Sequence, residues 1–436
     1  MKHTILIAAI LAMLIPAGNG WAADMVRYVD KDGTVKTAMV DVVSKDDLED
    51  FSARVRVGGR KRTLRIPSSQ VIEFWRGDSD SINQWSKNLA KGRRLMGAKQ
   101  YATVGTTAGA EEIFTKIAYS VEKGTPGQEK AEECYPWQNM YALFYLIQTR
   151  YLLGQEGKPE SLKQALSDIE QFRKRSETRA GKKIEWKVPG AEGTTVTAKI
   201  NGWGETRLLP LVTLYEARIQ AALGDKAAAV AIYDGLIDAA KKKQYAPTLL
   251  ATAIQEKTAV EADGQDSEQA EALFRASGNV LNNLAGNAKD PFSKGVLRRA
   301  ANEAFLRGAD LLFASAVASK VTYDVPLNRY TQLREGEGRR DPALYFGAQA
   351  GIGACMTEKG QGEAAYEVLL EVVTQGGDYP RQMAQALYYI SRAAPLFADE
   401  IEKSGGKAGF LREEAPRWVA DLKERYPTSE WAARLK

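Results

Sequence analysis

A length of 436 residues exceeds what one ordinary hydrophobic core supports, so the chain predicts several domains or a repeat array. Its 60 basic residues outweigh 55 acidic ones by a formal charge of only +5, which excludes a polyanion-binding role for the surface as a whole. Two cysteines, Cys134 and Cys355, exclude a fold stapled by several disulfides; we expect two buried thiols, with one long-range bridge as the alternative.

Residues 1–23 have the pattern of a cleavable signal peptide. A short basic start precedes the apolar run Thr4–Ile15, and small residues follow up to Ala22 and Ala23. The apolar run is too short to cross a bilayer as a stable helix, and no cysteine stands at the cleavage zone to carry a lipid anchor. We therefore expect a periplasmic or secreted protein whose mature chain has no transmembrane segment.

The chain without this leader contains no histidine, because His3 is the only one. Imidazole bases, Ser-His-Asp and Cys-His systems and histidine metal ligands are therefore excluded. The sequence also lacks a G-x-S-x-G turn, a phosphate loop and a Cys-x-x-Cys pair. We predict no catalytic, cofactor-binding or metal-binding residue. The one enzymatic alternative is a histidine-free carbohydrate-active enzyme that works with two carboxylates, for which no pair stands out.

Residues 24–78 alternate between apolar and polar with the period of β-strands. Turn signals at Asp32-Gly33 and Gly58-Gly59 separate strand-forming runs, and one more short strand ends at Gly77-Asp78. Five short strands in so few residues predict a small half-open barrel of the SH3-like or Sm-like type.

The second of these hairpins, "RVRVGGRKRTLRIP", carries a cluster of cations. Pairing across Gly58-Gly59 places Arg54, Arg56, Lys61 and Arg65 together on the solvent face. Such a face could attract an acidic envelope polymer, anionic lipid headgroups or an acidic protein. The structural alternative is that the charges protect exposed strands from edge-to-edge pairing. Nucleic acid is not expected, since no aromatic residues are interleaved with the cations.

Residues 79–436 change to helical periodicity, which predicts a mainly α architecture. Two stretches, 215–237 and 351–373, share a pattern in which glycine ends one helix and small residues allow the next to approach closely. The positions that define this pattern are Gly224, Ala229, Tyr233, Gly353, Gly360, Ala365 and Leu369.

These two stretches resemble the tetratricopeptide repeat family, in which a helix-turn-helix unit recurs about every 34 residues. Gly224 and Gly360 are separated by four such periods, and the ending "YPTSEWAARLK" is similar to helix starts in periplasmic members of the family. The resemblance implies a solenoid of helical hairpins whose surface binds peptides or partner proteins. Recognition residues vary within that family, so the resemblance assigns none in this chain.

Residues 181–206 interrupt the helical pattern. Two strand-like runs flank Pro189-Gly190, which predicts a β-hairpin inserted into the array. Because insertions in solenoids often collect on the binding face, Trp186 and Trp203 are candidate contacts for a peptide, a glycan or a second protein. The structural alternative is that both rings pin the hairpin to neighbouring helices.

The sequence thus predicts a periplasmic or secreted scaffold that binds proteins through a solenoid preceded by a small β module. The alternative function is an envelope protein that binds polyanions or glycans through the basic hairpin.

Cleavage of the signal peptide is expected after Ala22 or Ala23. Intact-mass and N-terminal peptide analysis of the protein purified from its native host should find a chain that starts at Ala23 or Asp24. Recovery of the uncleaved chain from the cytosol would contradict the predicted destination.

Overall fold

The computed structural model describes most of the chain, and the predicted signal peptide lies outside the described residues. Those residues are 24–46, 49–57, 59–75, 84–120, 134, 136–189, 195–243, 245–319 and 322–435.

The fold is mainly α-helical with an antiparallel sheet at its N-terminal end, which confirms the predicted fold class. The described residues divide into two compact units. The first consists of the described residues within Met1–Ala253 together with Asp290–Phe292, and the second of those within Ile254–Lys289 and Ser293–Lys436.

Five strands form a curled sheet in the order β4-β3-β2-β1-β5. Consecutive strands pair antiparallel, and β5 returns to pair with β1 after a single 3-10 turn at Ser68–Gln70. Glycines with positive φ, Gly33 and Gly59, lie in the two predicted turns. The strand bounds are β1 (Asp24–Val29), β2 (Val35–Asp46), β3 (Asp50–Val57), β4 (Arg60–Pro67) and β5 (Val71–Trp75).

Short turns join α3 to α4 and α5 to α6 in the first unit. Gly224 has a φ of +89° and ends one helix, and Ala229 and Tyr233 are buried in the next. The predicted inserted hairpin is present as β6 (Lys183–Pro189) and β7 (Thr195–Asn201). The helices are α1 (Gln84–Gly97), α2 (Ala110–Ala118), α3 (Pro136–Gln155), α4 (Pro159–Glu177), α5 (Leu209–Ala222), α6 (Lys226–Lys243) and α7 (Pro247–Ala262), which continues into the second unit.

The second unit repeats the helical-hairpin arrangement. Gly360 has a φ of +72° between two helices, and Ala365 and Leu369 are fully buried. Gly353, on the first of these two helices, allows the second to approach closely, because a Cβ at Gly353 would lie 2.4 Å from Cγ of Leu369. The helices are α8 (Ser267–Asn287), α9 (Pro291–Ser319), α10 (Asp324–Glu335), α11 (Pro342–Glu358), α12 (Gly362–Gln375), α13 (Pro380–Lys403), α14 (Gly409–Arg425) and α15 (Glu430–Ala433).

Both cysteines are buried, and neither forms a disulfide. Burial raises the pKa of the Cys134 thiol to about 12 and also raises that of Cys355. Since the thiolate is the reactive form, burial disfavours reaction of either thiol at neutral pH.

The sheet and helices α1 to α5 share one hydrophobic core. The Phe51 ring packs edge-on against Phe74 of β5 with centroids 5.3 Å apart, and Phe74 in turn meets Tyr141 of α3 at 6.5 Å. Burial of apolar surface across this boundary therefore holds the sheet against the helices, so that the sheet is not an independent domain.

A buried polar contact lies at the same boundary. Nε of Arg207, just before α5, lies 2.8 Å from Oδ1 of Asp46 at the end of β2, and the guanidinium also donates to the Tyr141 hydroxyl at 3.2 Å. Burial, the largest single influence, lowers the pKa of Arg207, but the charges of Asp46 and Tyr141 and the hydrogen bonds to both residues together raise it above its usual value. We call these three residues the Arg207 lock.

Replacing Asp46 with Ala is expected to destabilise the first unit by about 3 to 5 kcal/mol, because Arg207 would remain buried without its counter-charge. Urea unfolding followed by tryptophan fluorescence measures the change. Asp50→Ala is the control. It removes the exposed Lys45–Asp50 pair of the same sheet and should cost less than about 1 kcal/mol. Equal effects of the two substitutions would contradict a buried ion pair.

Candidate functional site

The described residues of the first unit form an open groove. It has a volume of 310 Å³ and lies along the pair α5 and α6, with one residue from α4 and one from the segment before α7. We call it the α5–α6 groove. Its lining residues are Arg173, Leu209, Pro210, Thr213, Glu216, Ile232, Gly235, Leu236, Ala239 and Tyr245.

The lining of the groove is predominantly apolar. Leu209 and Pro210 come from the first turn of α5, while Ile232 and Leu236 come from successive turns of α6. Gly235 leaves space on the same helix, since a Cβ built there meets no atom within 4 Å. The groove can therefore accept an apolar side chain from outside.

Polar side chains also line the α5–α6 groove. The Arg173 guanidinium donates to both carboxylate oxygens of Glu216, with NH1 2.9 Å from Oε1. This two-point pair keeps both side chains in one orientation. Burial, and then the charge of Glu205, raises the pKa of the Tyr245 phenol, which therefore remains a neutral hydrogen-bonding group at physiological pH.

A buried network links α2, α3 and α4 in the same unit. NH1 of Arg150 donates to Oδ2 of Asp168 at 2.7 Å, and its Nε donates to Oε1 of Glu111 at 3.0 Å. The Tyr119 hydroxyl donates to Oδ1 of Asp168 at 2.5 Å. Burial raises the pKa of Asp168 to about 6, although Arg150 and Tyr119 both favour the charged form.

Trp203, just after the inserted hairpin, packs against residues of α4. The Trp203 ring lies edge-on to Phe172 of α4 with centroids 5.0 Å apart, and the Arg175 guanidinium stacks 3.8 Å from its centroid. Its backbone N–H also donates to the carbonyl of Arg175 at 2.9 Å. These contacts favour the anchoring interpretation of Trp203 over that of an open binding platform. Trp186 pairs with Ala198 in the hairpin register, and its side chain lies outside the described residues.

The basic hairpin is β3 and β4, and its register places Arg54, Arg56, Lys61 and Arg65 on the exposed face, as predicted. Arg56 is committed within the sheet, because its Nε lies 2.8 Å from Oδ1 of Asp41 on β2. Arg54, Lys61 and Arg65 form no ion pair with the described part of the chain. Three of the four predicted cations thus keep their charge available to a partner.

Sequence reasoning missed the α5–α6 groove and the Arg207 lock. The Arg207 lock joins Asp46, Tyr141 and Arg207, which are far apart in the chain, and the groove depends on how α4, α5 and α6 pack. Each ion pair joins residue types that also occur on solvated helix faces.

The structure adds two negative findings that hold for the described residues. They contain no cluster of three or more histidine, cysteine or acidic side chains that could hold a metal ion. None of their helices combines the length and the apolar character needed to cross a bilayer.

No protein-family model matches the sequence, and no curated protein matches it closely enough to indicate a relative. Among solved structures, a crystal structure of the apo form of RapI is similar. Its sequence identity is 10% and its TM-score 0.39, over 81% of this chain and 80% of that chain. A similarity at this level assigns neither a family nor a function.

Replacing Asp168 with Asn should remove a pH dependence from the free energy of unfolding. Folding raises the pKa of this carboxyl from 3.8 to about 6, so the folded state holds the proton more tightly than the unfolded chain. Its contribution to stability is fully present below pH 3.8 and is lost as the pH rises through about 6.

Urea titrations between about pH 4 and about pH 7 test this, because the wild type should lose stability relative to Asp168→Asn across that window. Glu170→Gln removes an exposed carboxylate from the same helix and should follow the wild type. Parallel stability curves for the wild type and Asp168→Asn would show that the pKa of Asp168 is not raised.

Proposed function

We propose that this protein is a non-catalytic, extracytoplasmic scaffold that binds a protein partner through the α5–α6 groove. The observation that carries the proposal is the groove itself: an apolar surface with space beside Gly235 and an oriented ion pair, Arg173–Glu216, on its wall.

A polypeptide partner suits this surface better than a small solute. The groove volume of 310 Å³ lies at the lower end of the range for small-ligand sites, which is about 300 to 1,000 Å³. Interface hot spots combine an apolar anchor in a pocket with polar groups that set its orientation. An apolar anchor side chain can fill the groove, and the ion pair can orient the adjoining backbone.

We also propose that the architecture is a tetratricopeptide-like array carrying an SH3-like or Sm-like sheet. The helical-hairpin pattern around Gly224 and Gly360 supports the first part, because both glycines adopt the positive φ that ends a helix. The five-stranded meander, with β5 returning to β1, supports the second part. In this proposal the sheet orients the helices, since both share one core.

The extracytoplasmic location rests on the amino-acid pattern of residues 1–23. A scaffold in that compartment has no need of reactive thiols, and the buried state of Cys134 and Cys355 is compatible with an oxidising environment.

Filling the groove should weaken partner binding. Gly235→Leu places a side chain in the open space of α6 and is expected to lower affinity about tenfold, equivalent to about 1.4 kcal/mol of lost contact. The measurement is quantitative capture, by the immobilised mature chain, of the protein partner that the wild type recovers from envelope extract in stoichiometric amount.

Gly286→Leu is the matched control, because Gly286 is an exposed glycine of α8 with no atom within 4 Å of an added Cβ. Both substitutions raise helix propensity, so both variants should fold. Equal capture by the two variants, or no stoichiometric partner with the wild type, would contradict binding through the groove.

A further inference from the structure

The strand β4 forms one edge of the N-terminal sheet, and six of its eight residues are exposed. In the sheet order β4 pairs with β3 alone. Its first four residues, Arg60 to Thr63, are all exposed, so side chains on both faces of the strand reach solvent. A strand in this position presents unpaired backbone groups that can pair with another chain.

The register identifies which backbone groups these are. The N–H of Ser68 donates to the carbonyl of Glu49 at 2.9 Å, just beyond the last β3–β4 pair. Hydrogen-bonded and non-hydrogen-bonded pairs alternate along an antiparallel ladder. Counting back from Ser68, the N–H and C=O groups of Lys61, Thr63 and Arg65 therefore point away from β3. We call these three residues the β4 edge.

The exposed side chains along this edge are predominantly cationic. Lys61 and Arg65 lie on the outer face of the sheet, with Arg54 of β3 directly opposite Thr63 on the same face. None of these three cations forms an ion pair within the described residues. Arg56, which lies opposite Lys61, is instead neutralised by Asp41, so the uncompensated charge is concentrated along the edge.

We infer that the β4 edge binds an extended acidic polypeptide segment by strand addition. The outward N–H and C=O groups of Lys61, Thr63 and Arg65 pair with the backbone of the segment. Its acidic side chains occupy alternate positions, where they share the outer face with Lys61, Arg65 and Arg54.

The same charges decide what does not bind. Two copies of β4 would bring like charges face to face, which opposes self-pairing. With an acidic strand the same interaction becomes attractive. The edge therefore disfavours pairing with a second β4 strand and favours pairing with a negatively charged segment. This role is separate from the α5–α6 groove and does not depend on it.

The experiment uses the full mature chain and a labelled peptide as long as β4 that alternates Glu and Val. Fluorescence anisotropy should show binding that weakens as salt rises. In an antiparallel addition, the Glu residues that share the outer face with Lys61 and Arg65 direct their N–H groups towards β4. N-methylation of the Glu residues should therefore weaken binding about tenfold or more, while N-methylation of the Val residues leaves it unchanged.

A protein variant provides the reciprocal test. Thr63→Pro removes an outward N–H without removing a bond to β3 and should weaken peptide binding about tenfold, whereas Thr63→Val retains the donor and should bind like the wild type. Neither substitution should change the affinity for inorganic polyphosphate, which can use only the charge.

Three outcomes would overturn the inference: equal binding of both N-methylated peptides, binding of polyphosphate without binding of any peptide, and absence of peptide binding. The first two would show that the surface reads charge alone. The peptide arms use the wild-type protein, so the test holds even where Thr63→Pro fails to fold.

Discussion

The first unit depends on a guanidinium that is buried where strand and helix meet. Arg207 pairs with Asp46 of the sheet and Tyr141 of α3, and two residues later α5 begins with Leu209 and Pro210, which line the α5–α6 groove. A buried charge of this kind tolerates little displacement, because moving away from its counter-charge leaves it unpaired in an apolar setting. The position of the groove is therefore tied to the position of the sheet.

The two proposed surfaces of this unit recognise different properties of a partner. The α5–α6 groove offers apolar area and an oriented ion pair, so it selects for side-chain shape. The β4 edge offers backbone hydrogen bonds within a positive field, so it selects for an extended conformation and negative charge. One partner with both features could engage both surfaces, since each contact would raise the effective concentration for the other.

Local patterns were readable from the sequence, and long-range pairings were not. Alternation and two-residue turn chemistry predicted the β3–β4 register and the shared face of Arg54, Lys61 and Arg65, because both act over a few residues. Asp46 and Arg207 carried no such signal, since an isolated Asp or Arg is ordinarily solvated. The packing of Trp203 against Phe172 and Arg175 matches one of the two interpretations that the sequence offered, but composition did not choose between them, because tryptophan suits core and interface equally.

The continuous core makes the sheet an integral part of the helical body. The Phe74 ring packs edge-on against Tyr141. The guanidinium carbon of Arg207 lies 5.7 Å from the centroid of the same Phe74 ring, and its Nε contacts Asp46. Removing the strands would expose the apolar surface of α3 and leave the positive charge of Arg207 without its partner Asp46. Evolutionary shuffling or protein engineering that treats the sheet as a detachable cassette would thus have to rebuild the helical surface beneath it.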